Sequence, residues 1–309
     1  MPEGDTIHRT AARLRPALEG ATLVRFEARR TPRPWPAAGT AVTAVDAVGK
    51  HLLVRFGDGR VLQTHLGMTG SWHLYRTGER WQRPAHLARA VVEVEGWTAV
   101  CFAAPTVRLL QGPSATAAAT AHLGPDLCAV GADERGAVVD AAVARIPLVA
   151  APGADIADVL LDQRVAAGIG NVYKSEVLWA CRVHPFTAWE HVDPAVLRRL
   201  LDTAVDQLQA NLGGGPRRTV PGGLAVYGRA RRPCPRCGTL VLVRRSGPHA
   251  RSTSWCPRCQ PAAGVAVPAA GRDRRGHGGG PPAAAPTRGR RSAREDGGGR
   301  AAEEDPSDG

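Results

Sequence analysis

The chain has 309 residues, enough for two modest domains that each bury a core of their own. Its formal net charge is +12, and it holds no apolar run of the roughly 18 residues that a membrane-spanning helix needs. The N-terminus is polar instead of a charged and then apolar leader, so a soluble cytoplasmic protein with no membrane partner is expected.

In chain order, the first stretch is MPEGDTIHRT. Met1 precedes a small proline and is expected to be removed, leaving Pro2 as a free secondary amine beside Glu3. A helix is predicted from near Asp5, because Asp5 and Thr6 suit a capped helix start. Ile7, Ala11, Leu14 and Leu18 fall on one face of it, and Pro16 should kink or shorten its last turn. Taken alone, this is an ordinary capped helix. A β-rich stretch follows. HLLVRF, the turn GDG and RVLQTHL predict a hairpin. Further strands are predicted at SWHLY, LARAVVEVE and TAVCFA, a spacing that suits a sandwich or barrel. On their own, Lys50 in VGKHLL reads as a solvated turn lysine and Met68 in HLGMTG as a core methionine at a strand end.

Near residue 130 the pattern becomes Ala- and Leu-rich with helical periodicity. Helices are predicted at AAVARI, IADVLLDQRV, NVYKSEVLWAC and PAVLRRLLDTAVDQLQANL. Within this region LLDQRVAAGIGNVYKSEVLW reads as a helix to Val165, a tight small-residue turn, and a second helix opening near Asn171. Gly168 and Gly170 permit close approach of the backbone to another surface. The free amides at the turn and the new helix N-terminus predict an anion site, with Asn171 adding a side-chain donor. A plain helical hairpin is the alternative.

Between Arg217 and Arg258 there are ten arginines and no Asp or Glu, a concentration of charge that suits a phosphate backbone. The seven cysteines are an odd number with four in close pairs, which points to metal binding over disulfides. The pairs are CPRC at 234–237 and CPRC at 256–259. Two such knuckles, Cys234 with Cys237 and Cys256 with Cys259, close a tetrahedron of thiolates around one zinc ion. A closed four-thiolate site has no place for a reactive water, so this zinc is expected to be structural. A redox pair of dithiols is the alternative. Cys101, Cys128 and Cys181 read as buried thiols. The Gly/Pro/Ala/Arg-rich tail from Pro261 is predicted to be disordered.

The turn GIGNVYKSE, the hairpin CPRC…CPRC with RSTSWCPRCQ, and the N-terminal PEG stand together in this order. With them the chain resembles the formamidopyrimidine-DNA glycosylase and endonuclease VIII family over residues 1 to about 260. The resemblance implies a multidomain α+β fold. Residues 1–130 would form a β-sandwich with a leading helix, 131–225 a helix–two-turn–helix domain, 226–260 a zinc-finger β-hairpin and 261–309 the tail. It implies damaged DNA, duplex or single-stranded, in the cleft between the halves, bound by a monomer associated with the nucleoid.

Carried over by residue, the resemblance makes Pro2 the nucleophile that attacks C1′ of the damaged nucleotide. The resulting iminium would allow β-elimination. An α-amine titrates near ~8 against ~10.4 for lysine, so more of it is neutral at physiological pH. Glu3 would move protons at the sugar, and the charge of Lys50 would help catalysis and grip phosphate. Asn171 and Arg251 match a phosphate clamp around an everted nucleotide, and Met68 matches the wedge that fills the vacated space. The chain also departs from the family pattern. PEGDT places Thr6 where many relatives carry a second glutamate, with Asp5 one place early. FAAPTVRLLQG lacks the Asp-Pro-Arg-Arg-Phe-Gly insertion of the oxidised-purine branch and has Arg108 nearby. The first departure leaves open whether Asp5 substitutes for that glutamate, and the second favours the endonuclease VIII branch and oxidised pyrimidines. The alternatives are an oxidised-purine glycosylase and a non-catalytic nucleic-acid-binding protein of the same architecture.

Overall fold

The structure, a computed structural model, describes residues 2–247 and 250–262. The expected disordered tail, apart from its first two residues, lies outside the described residues.

A helix α1 (Gly4–Leu18) opens the chain, and Ile7, Ala11, Leu14 and Leu18 are buried on its inner face as the periodicity predicts. Its N-cap is Glu3, so Asp5 and Thr6 lie inside the first turn and do not cap it. The helix also runs through Pro16 to Leu18, because only the last turn lacks the amide that proline cannot offer. Eight strands follow: β1 (Leu23–Ala28), β2 (Val42–Val48), β3 (His51–Phe56), β4 (Arg60–His65), β5 (Ser71–Arg76), β6 (Ala88–Val94), β7 (Trp97–Phe102) and β8 (Thr106–Gln111). They form two antiparallel sheets, in the orders β1-β6-β7-β5 and β2-β3-β4-β8. The predicted hairpin is β3 with β4, pairing His51 with His65. One core joins the layers, with Leu14 and Leu18 of α1 packed with Val54 and Leu62 of one sheet and Val92 and Ala99 of the other. Burying each such Leu or Val contributes roughly 1.5–3 kcal/mol. The sandwich is thereby the rigid mount for both the N-terminal turn and the loop after β4.

The helical half contains α2 (Gly112–Thr120), α3 (Arg135–Val149), α4 (Ile156–Val159), α5 (Asn171–Ala180) and α6 (Pro194–Gln209). The short helix α2 was not expected. The helix expected to reach Val165 stops at Val159, and turns carry the chain to Gly170. Here Gln163 draws the backbone into a loop, its Oε1 accepting from Gly168 N at 3.2 Å and its Nε2 donating to Ile169 O at 3.0 Å. Strands β9 (Leu242–Ser246) and β10 (Arg251–Trp255) then form the arginine-rich hairpin. Buried Lys174 of α5 latches it, donating to Thr253 Oγ1 at 2.8 Å and Ser252 O at 3.3 Å.

Candidate active site

The first turn of α1 and the N-terminus of α5 meet through a single carboxylate. Glu3 is buried, and its oxygens accept from the amides of Gly170 at 3.0 Å, Val172 at 2.8 Å and Tyr173 at 3.3 Å. The anion expected at this helix N-terminus is therefore supplied by the protein itself. Gly170 is required for this approach, since a Cβ there would lie 2.2 Å from the Glu3 carboxyl carbon. A second tie, from Gly4 N to Gly168 O at 2.9 Å, fixes the turn. Burial pushes the Glu3 carboxyl up from its ordinary value, against the pull of Arg217, Lys50 and the backbone amides. Such a carboxyl gives and takes a proton closer to neutrality than a solvated one.

Pro2 lines a cavity of about 550 Å³ together with Glu3, Lys50, Met68, Asn171 and Arg251. All six residues that the sequence singled out for chemistry and DNA contact thus converge on one space. Lys50, at the β2–β3 turn, donates its Nζ to the carbonyl of Ile169, which places it against the same loop that carries Gly170. Burial lowers its pKa to about 8, with Glu3 opposing and Arg251 reinforcing the shift. Met68 is 75% exposed at the rim, which rules out the core-methionine reading. Its loop is braced: Gly70 N donates to Leu66 O at 2.8 Å, and Arg83 donates to Thr69 O at 3.3 Å and Ser71 Oγ at 2.9 Å.

Asn171 is buried and already engaged. Its Nδ2 donates to Ser252 O at 2.8 Å, while its Oδ1 accepts from Lys174 Nζ at 2.7 Å. A second Nδ2 hydrogen makes a long contact of 3.4 Å to Ser252 Oγ and can turn to an incoming oxygen. Arg251 starts β10, where it pairs with Ser246, and its exposed side chain makes no hydrogen bond or ion pair to the other described residues. Sequence reasoning missed His65 and Tyr227, which also line the cavity. His65 ends β4 three positions before Met68, and that placement was the available signal. Its Nδ1 accepts from Gly67 N at 3.2 Å, and burial, Lys50 and Arg251 lower its pKa, so the neutral ring keeps Nε2–H as a donor.

Asp5 does not stand in for a second glutamate at the cavity. It is fully buried and held by Arg217, whose Nη2 and Nε donate to the two carboxylate oxygens at 2.5 and 3.0 Å. Arg217 also donates to Thr6 Oγ1 at 3.1 Å and lies 4.9 Å from the centre of the Tyr173 ring.

In the hairpin, the four sulfurs of Cys234, Cys237, Cys256 and Cys259 lie within 4.8 Å of one another and could hold a metal ion. Contacts of 3.4, 3.5 and 3.9 Å between them fit the ~3.8 Å separation that four ~2.3 Å bonds to a tetrahedral ion produce. Trp179 Nε1 donates to Cys234 Sγ at 3.3 Å, and Gln260 Oε1 accepts from Cys256 N at 3.0 Å, so the ligand set has the supporting shell of a metal site.

Two family profiles match the chain: the formamidopyrimidine-DNA glycosylase N-terminal domain over residues 1–106 and the formamidopyrimidine-DNA glycosylase H2TH domain over residues 145–219. The class is thus one of DNA-repair enzymes. The chain is 40% identical to the probable endonuclease 8 2 of Streptomyces coelicolor, covering 88% of this chain and 98% of that protein. It is 38% identical to the DNA-(apurinic or apyrimidinic site) lyase Nei2 of Mycolicibacterium smegmatis, covering 85% of this chain and 100% of that one. A crystal structure of Lactococcus lactis formamidopyrimidine-DNA glycosylase, bound non-covalently to DNA containing an AP site, superposes with a TM-score of 0.70. That match covers 84% of this chain and 100% of the other at 21% identity, a likeness of fold. The protein belongs to the formamidopyrimidine-DNA glycosylase and endonuclease VIII family, on the endonuclease VIII side.

Proposed function

We propose that the protein is a bifunctional DNA glycosylase and AP lyase that removes oxidised bases, pyrimidines above purines, through Pro2. The observation that carries this reading is the position of Pro2 on the wall of the 550 Å³ cavity, next to a buried carboxyl and a lysine of lowered pKa. With Met1 removed, the neutral Pro2 amine attacks C1′ of an everted nucleotide. The C1′–N bond to the base breaks, and the base departs with that electron pair and a proton. Glu3 delivers a proton to the sugar ring oxygen as its bond to C1′ opens, leaving an iminium between Pro2 and C1′. The iminium acidifies the 2′ proton, whose loss expels the 3′ phosphate and cuts the strand without water. Lys50 and Arg251 counter the flanking phosphates, Asn171 adds an amide donor, and Met68 fills the space left by eversion.

The four-cysteine site holds one structural zinc in this reading, and its chemistry is to fix the hairpin that carries Arg251. The boundaries 1–130, 131–225 and 226–260 divide the work into nucleophile, helical anchor and clamp. The pyrimidine preference is supported by FAAPTVRLLQG, where Thr106–Gln111 forms β8 and pairs with β4, so it is sheet in place of an inserting loop.

Borohydride reduction in the presence of abasic-site DNA tests the mechanism. The intact protein should give a covalent adduct that Pro2→Gly abolishes; an intact protein without adduct overturns the lyase reading. Duplexes carrying thymine glycol, dihydrouracil or 8-oxoguanine then test the preference, which fails if 8-oxoguanine opposite cytosine is cut best.

A further inference from the structure

The ion pair of Asp5 and Arg217 lies behind the cavity wall, and neither residue lines the cavity. Desolvating Asp5 and most of Arg217 can cost more than their mutual attraction returns, so stability alone is a weak reason for such a pair. Its placement offers another. Asp5 follows Glu3 by two positions in the first turn of α1, whereas Arg217 belongs to the segment after α6. That segment continues to Ala225, Val226 and Tyr227, whose amides donate to the buried Glu176 carboxylate of α5 at 2.7, 2.9 and 2.7 Å. The guanidinium of Arg217 also lies over Tyr173, whose own amide donates to Glu3. One cation thus touches the turn that presents Glu3 and the helix that receives it.

We propose that Arg217 is a positioning residue for the reaction: through Asp5, Thr6 and Tyr173 it seats Glu3 on α5 and so holds Pro2 at the cavity wall. This rests on the Pro2 reading above and assigns a control to the same site. Arg217 also acts on Glu3 through space. Of the influences that oppose the upward push of burial on Glu3, Arg217 is the largest, ahead of Lys50 and the amides of Val172 and Tyr173. The other titratable groups facing Glu3 are Cys128, Tyr173 and Lys174, and Asp5, which pairs with Arg217, also has Arg9 at 3.6 Å.

The two partners of the pair must therefore shift the chemistry in opposite directions. In a pH profile of borohydride trapping with abasic-site DNA, Glu3 acts protonated and so sets the alkaline limb; Arg217→Gln removes a cation from Glu3 and moves that limb to higher pH. Asp5→Asn removes the carboxylate that offsets the charge of Arg217 and moves the limb to lower pH. Arg217→Lys keeps the charge but loses the two-pronged grip, so the limb stays while the optimal rate falls about tenfold or more from misplacement. KM for the DNA should change less than twofold or so in all three, because neither residue lines the cavity. Equal losses at every pH, with no displacement of the limb, would mean a merely structural pair and overturn the proposal. If melting curves show Arg217→Gln unfolded, Asp5→Asn decides alone, and an unmoved or raised limb sinks the idea. Absence of an adduct with the unmodified protein would instead remove the Pro2 reading, so the two failures are distinct.

Discussion

Lys50 is a cation whose charge depends on what occupies the cavity. Burial lowers it to about 8, so in the DNA-free protein it is charged below that pH and neutral above it. A phosphate arriving beside it favours the charged form again. DNA binding should therefore take up a proton near pH 8, and affinity for abasic-site DNA should fall as pH rises through that value. Titration calorimetry in buffers of different ionisation enthalpy reads the proton directly. Lys50→Arg, charged at every accessible pH, should bind with neither proton uptake nor that pH dependence; buffer-independent heats for the unmodified protein would sink the prediction. The effect on stability has the opposite slope. The unfolded lysine, near ~10.4, holds its proton where the folded one has lost it, so stability of the free protein rises from pH 8 upward. Lys174, also lowered to about 8, adds to that rise but lies off the cavity. At this scale Pro2, Glu3 and Lys50 were legible because each sits in a short motif. The Asp5–Arg217 pair was not, because its partners are 212 positions apart and either alone is an ordinary charged residue.

Among the elements, the N-terminus of α5 shows how a correct physical expectation can miss its object. Small residues before Asn171 do mark a helix N-terminus that binds an anion, but the anion is Glu3, from the other half of the protein. No local pattern encodes a contact between positions 3 and 170. The same limit explains α4: LLDQRV carries helical periodicity, yet the backbone there pairs with a distant segment, Gly124 N donating to Gln163 O and Ala167 N to Pro125 O, both at 2.8 Å, and leaves the helix. The close approach makes Gly170→Ala informative. Gly170 has a φ of −120°, open to any residue, so the only penalty is steric, from the Glu3 carboxyl 2.2 Å from the added Cβ. Overpacking of this kind costs about 1–3 kcal/mol. The variant should melt a few degrees lower and lose nearly all borohydride trapping, because Glu3 and Pro2 move together. Trapping at the unmodified rate would show that the carboxyl need not sit on α5.

For the whole molecule, the charge of +12 and the ten arginines between Arg217 and Arg258 carried the expectation of DNA, and three motifs in order carried the family. What neither conveyed is how unequally those charges are used. Arg217 is spent on Asp5, Arg236 donates to Trp179 O and stacks 3.9 Å above its ring, and Arg244 stacks 3.8 Å above Phe186. Arg251, held at the start of β10 by a hairpin that Lys174 latches to α5, faces the cavity with its charge unspent on the other described residues. Asn171 differs in kind, because it fastens Ser252 as well as lining the cavity. The two residues of the proposed clamp should therefore fail differently. Arg251→Ala should weaken binding to all sequences alike and reduce the slope of log K against log salt by about 0.9, one phosphate contact on duplex DNA. Asn171→Ala should cost comparable affinity with a smaller change in slope, since it loosens the hairpin without removing a cation. Fluorescence anisotropy with labelled duplex across a salt series measures both. Equal slopes for Arg251→Ala and the unmodified protein would mean that this arginine does not meet phosphate.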